Sequence, residues 1–105
     1  MTLKSELLIV PHCPNEADAV ELITTAVADT RVRATVTRTV IATRDQARQR
    51  GFVGSPTILL NGTDPFAQPD AAAALACRLY STPQGLRGVP TLRDLRQALT
   101  RVAAG

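Results

Sequence analysis

The sequence predicts a single α/β domain, a central mixed sheet flanked by helices in the order β-α-β-α-β-β-α. Three observations lead there. The run Leu7-Leu8-Ile9-Val10 is wholly apolar and reads as a strand buried on both faces. Two stretches carry apolar residues at helical spacing, Val20-Ile23-Val27 and Leu92-Leu95-Leu99-Val102. Between them lie a β-branched stretch, Val32 to Ile41, and a second short apolar run, Thr57-Ile58-Leu59-Leu60.

A chain of 105 residues suits one domain that buries its own core without disulfide or metal staples. Its aromatic residues are only Phe52, Phe66 and Tyr80, so that core is aliphatic. The net charge of +3 is carried mostly by arginine, eleven against the single Lys4. Arginine suits carboxylate and anion recognition. The arginines are scattered, without a basic run or interleaved aromatics, which argues against nucleic acid as a partner. No stretch approaches the roughly 20 apolar residues of a membrane span. Leu7–Val10 is too short for a signal core and runs into Pro11, so a cytoplasmic protein is expected. In that compartment Cys13 and Cys77 are expected to be thiols or a transient redox pair rather than a structural disulfide.

Taken in order, Leu7–Val10 is the first strand, broken by Pro11-His12-Cys13-Pro14. A helix follows over about Pro14 to Ala28, with Pro14 at the first helical position, where a missing N–H is harmless, and Cys13 at the cap. Val32 to Ile41 alternates and forms the second strand, with Val32, Ala34 and Val36 on one side. Thr43 and Gln46 make a capping-box pattern that opens a short helix to about Arg50, ended by Gly51. Thr57 to Leu60 is the third strand, and Asn61-Gly62 is the strongest hairpin signal in the chain. Asp70 caps a brief helix through the alanines to Leu75, Cys77 to Tyr80 is a last short strand, and Ser81 to Gly88 is a loop. Thr91 caps the final helix.

Chemistry concentrates where a buried strand ends at Cys13-Pro14 and where Gly51-Phe52-Val53-Gly54-Ser55-Pro56-Thr57 leads into the third strand. This order and these motifs resemble the thioredoxin superfamily, over about Leu7 to Leu60 and the final helix. The resemblance implies that Cys13 matches the family's first, nucleophilic cysteine and that Pro56 matches its cis-proline. It further implies that Ser55, with Pro56 and Thr57, lines a substrate groove beside His12 and Pro14. One departure is plain. The family's Cys-x-x-Cys reads Cys13-Pro14-Asn15-Glu16 here, with Glu16 in place of the resolving thiol.

The residues leave two readings at most positions. Cys13 is a functional thiol, favoured as thiolate by a helix start and opposed by Glu16, or it is a cap residue left without chemistry. Cys77 is a small core residue, or the redox or metal partner of Cys13. His12 is an exposed loop residue, or a base beside Cys13. Asp64-Pro65-Phe66 is a turn with an anchoring Phe, and Arg78 and Arg87 are solvated or hold an anion. Two Cys and one His lack the paired spacing of a zinc site, and no cofactor is expected. The expected function is therefore that of a monothiol thiol–disulfide redox protein acting on a thiol- or disulfide-bearing protein or small molecule, with Cys13 and Cys77 as its thiols. The alternative is a non-catalytic binding module for a peptide, a partner protein or a soft metal ion.

Overall fold

In the computed structural model, which describes residues 2–105, eight elements follow one another. They are β1 (Leu3–Ile9), α1 (Glu16–Thr30), β2 (Ala34–Val40), α2 (Arg44–Arg50), β3 (Thr57–Leu60), β4 (Tyr80–Thr82), β5 (Gly85–Arg87) and α3 (Leu92–Ala104). The main sheet has the order β2-β1-β3. β1 runs parallel to β2, with Leu3 opposite Ala34, and antiparallel to β3, with Leu7 opposite Ile58.

Side chains of neighbouring strand residues point to opposite faces, and this divides the core in two. Leu7, Ile9, Ile58 and Leu60 pack with Ile23 of α1 and with Leu95 and Leu99 of α3. Leu8 and Leu59 turn the other way, onto Ala47 of α2, Ile41 and Phe52. Helices cover both faces, which is why Leu7-Leu8-Ile9 carries no polar alternation. Each of these fully buried aliphatic side chains contributes about 1.5–3 kcal/mol of transfer free energy.

Several expected elements are corrected. α1 begins at Glu16, not Pro14, and runs on to Thr30. Asn15 holds the cap position but makes no side-chain cap bond. Its amide is pressed against Gly88, where an added Cβ would stand 2.4 Å from it. Cys13 therefore lies before the helix, in a turn closed by the Glu16 N–H donating to the Cys13 carbonyl at 3.3 Å. The buried face of α1 is Ala19-Ile23-Ala26, with Val20 exposed. β2 is an edge strand: its ends, Ala34 and Val40, pack on the core, while Val36 is exposed.

The alanine segment forms no helix behind Asp70. The Ala74 N–H donates to the Phe52 carbonyl at 3.1 Å, and the Ala76 carbonyl accepts from the Ser55 N–H at 2.8 Å. These long-range bonds draw the segment out beside residues 52–55. Cys77 makes only an isolated bridge, and the strand begins at Tyr80. The expected loop from Ser81 to Gly88 is instead a hairpin, with Tyr80 opposite Arg87 and Thr82 opposite Gly85. Pro83 and Gly85 punctuate its tight turn, and the Thr82 hydroxyl donates to the Gly85 carbonyl at 2.6 Å.

Other local signals act as written. At α2 the Thr43 hydroxyl accepts from the Gln46 N–H while the Gln46 side chain accepts from the Thr43 N–H, and Gly51 closes the helix in the left-handed region. Thr91 accepts from the Asp94 N–H at 3.0 Å to open α3. Asn61 and Gly62 both take positive φ, and Leu60 and Thr63 exchange both backbone hydrogen bonds across them.

Candidate functional site

The two cysteines sit on segments joined through one residue, Ser55. Its hydroxyl accepts from the Val10 N–H at 3.1 Å, at the start of the loop that carries Cys13. Its backbone pairs with both neighbours of Cys77: the Ser55 N–H donates to Ala76, and the Ser55 carbonyl accepts from the Arg78 N–H at 2.9 Å. The Ser55–Pro56 peptide bond is cis.

The thiols differ in access. Cys13 is buried among the apolar side chains of the larger core cluster, and Cys77 is exposed. His12 and Pro14 flank Cys13 on the surface, with His12 in the left-handed region at φ 58°. Ser55, Pro56 and Thr57 offer no surface at all, each below 2% exposed. Of the three, Ser55 ties the cysteine-bearing segments together.

Below them lies a cluster that the sequence did not disclose. Arg78, expected to be solvated or anion-binding, is 5% exposed. Its guanidinium donates to Asp64 Oδ2 at 2.6 Å, to the Phe66 carbonyl at 2.6 Å and to Thr57 Oγ1 at 3.2 Å. Among the described residues the Arg78 Nε has no partner. The guanidinium carbon stands 4.5 Å from the centre of the Tyr80 ring, and Phe66 meets that ring edge-on at 5.7 Å. Phe66 is anchored by a turn in which Asp64 Oδ1 accepts from its N–H at 2.8 Å. The Tyr80 hydroxyl donates to the Pro56 carbonyl at 2.5 Å. Burial pushes the Tyr80 phenol well above its ordinary pKa; the Arg78 charge opposes that rise and the Asp64 charge adds to it.

Space for Arg78 comes from Gly54, whose φ is 144° and where an added Cβ would stand 2.8 Å from Arg78 Cβ. A Gly before Ser-Pro and an acid fourteen residues before an arginine are the only traces of this cluster in the sequence, and neither is specific. Glu16 pairs with Arg38 on β2. Arg87 is exposed, and its guanidinium donates to the carbonyl of neighbouring Leu86 at 3.4 Å.

Among the described residues, no three His, Cys, Asp or Glu side chains gather into a metal-binding group, and no helix is long and apolar enough to cross a membrane. No protein-family model matches the chain, and neither curated proteins nor solved structures give a significant match.

Proposed function

We propose that this domain is a thioredoxin-like thiol–disulfide exchange protein whose two thiols act from either side of Ser55. The observation that carries the reading is the double attachment of Ser55, by its hydroxyl to the Cys13 loop and by its backbone to both neighbours of Cys77. The sheet order, with β1 parallel to β2 and antiparallel to β3, supports the thioredoxin-like reading.

The exposure of Cys77 supports its assignment as the attacking thiol, reversing the order expected from the sequence. The Cys77 thiolate attacks one sulfur of a substrate disulfide. A Cys77–substrate disulfide forms as the substrate S–S bond breaks, and the departing thiolate takes a proton from water. The Cys13 thiolate then attacks the Cys77 sulfur and expels the second substrate thiolate. The substrate is reduced by two electrons, and the protein keeps a Cys13–Cys77 disulfide until an external thiol reduces it.

Incubation with an aromatic disulfide, followed by release of its coloured thiolate, tests the scheme. Cys77→Ser abolishes release, and Cys13→Ser halts the protein as the stable Cys77 adduct. Equal release from both variants contradicts the order, and no release from the unaltered protein contradicts the function.

A second reading has its own support. Cys13 lies before the start of α1 and within the apolar core, so it lacks the helix-terminal position that stabilises a thiolate. A binding module for a peptide or a partner protein needs no such thiolate.

A further inference from the structure

Away from the cysteines, the end of α1 and the length of α3 enclose a shallow groove of about 660 Å³. Arg93, Arg96 and Arg101 line it, with Asp29 on the facing side. A second, separate hollow of about 270 Å³ is lined by the next residues along the same two segments, Arg31 after Thr30 and Val102 after Arg101. Arg31 and Arg33 stand exposed on its rim, while Leu3, Val32 and Val102 form a more buried, apolar floor.

Five of the eleven arginines therefore line two adjoining hollows, Arg93, Arg96 and Arg101 the first and Arg31 and Arg33 the second, with Asp29 the only acid among the lining residues. Arg96 meets Asp29 at 3.1 Å, and among the described residues the other four arginines make no ion pair. Helix electrostatics does not explain the arrangement. Arg101 is in the last turn of α3, where a cation is favoured, but Arg93 is in the first turn, where the positive helix terminus repels it. Neither hollow contains an aromatic residue on which a base would stack.

We infer that this arginine-rimmed, apolar-floored groove docks an acidic segment of a partner protein, its carboxylates meeting Arg31, Arg33, Arg93 and Arg101 and its apolar side chains covering Leu3, Val32 and Val102. Arginine forks match carboxylates bidentately. The groove lies at the C-terminal end of α1 and Cys13 before its N-terminal end, some 22 Å apart at about 1.5 Å per helical residue. The docking surface is thus separate from the thiol chemistry and does not depend on it.

Fluorescence anisotropy with a labelled ten-residue peptide of Glu, Asp and Leu tests the inference. Saturable binding is expected, weakened at least tenfold in the Arg93→Glu/Arg101→Glu variant and at 0.5 M salt. The charge-matched Arg44→Glu/Arg48→Glu change on α2, which packs on the other face of the sheet, is expected to leave affinity within twofold, as is Cys13→Ser/Cys77→Ser. Circular dichroism confirms that each variant is folded. Absence of saturable binding, an equal loss in Arg44→Glu/Arg48→Glu, or tighter binding of an oligothymidine of the same length would overturn it.

Discussion

Ser55 and Cys77 face each other in an isolated parallel bridge, which with the Ala74–Phe52 hydrogen bond attaches the segment around Cys77 to the loop before β3. That bridge fixes an exposed thiol beside a buried serine whose hydroxyl holds the end of β1. Perturbations of the surrounding cluster are therefore expected to loosen Cys77 as well as the fold.

Arg78 is the first such perturbation. Arg78→Ala removes four donated hydrogen bonds, to Asp64, Phe66 and Thr57, and leaves Asp64, largely buried, without its cation. Loss of one partner of a buried pair costs about 3–5 kcal/mol. Urea denaturation is expected to show a loss of that order, with Arg78→Ala/Asp64→Asn recovering part of it.

Gly54→Ala tests the same contact from the opposite side. The new methyl would meet Arg78 Cβ at 2.8 Å, at a φ of 144° that an L side chain rarely adopts. A loss of about 2 kcal/mol or more in denaturant unfolding is expected, within the range of strained and overpacked sites.

Tyr80 predicts an alkaline limb. Its native pKa is raised by burial above the unfolded value of about 10, so its contribution is fully present below pH 10 and is lost as pH climbs beyond it. Tyr80→Phe is expected to flatten that limb in a pH series of thermal melts. At neutral pH the change costs about 1 kcal/mol, because the Pro56 carbonyl loses its donor.

Glu6 predicts an acid limb. The Arg50 guanidinium and then the Thr39 hydroxyl hold its carboxyl below the usual carboxylate range, against a small opposing effect of burial. Its contribution is complete above the unfolded value of about 4.3 and is lost as pH falls through the lower native value. Glu6→Gln is expected to cost about 0.5–1 kcal/mol at pH 7. Denaturant curves should show that difference vanishing in strong acid.

Much of the α/β framework was legible because its signals are local. The Thr43–Gln46 capping box, the Thr91 cap and the Asn61-Gly62 turn each depend on residues a few positions apart. What escaped depends on distant partners. Asn15 fails to cap α1 because it packs on Gly88, and the alanines after Asp70 stay extended because Phe52 and Ser55 take their backbone groups. The hairpin of Tyr80–Thr82 with Gly85–Arg87 has strands too short to display alternation. At the site, Cys13 and Cys77 stood out by type, but their unequal exposure and the burial of Arg78 arise only from packing.

The most direct test of the thiol-exchange account is mass-spectrometric footprinting of the two cysteines with iodoacetamide, before and after mild oxidation by diamide. The account predicts that Cys77 is alkylated at least tenfold faster than Cys13 in the reduced protein. It also predicts that oxidation protects both together, with a Cys13–Cys77 cross-linked peptide recovered. Alkylation of Cys13 at the faster rate, or oxidation that leaves Cys13 a free thiol with no cross-linked peptide, would contradict it.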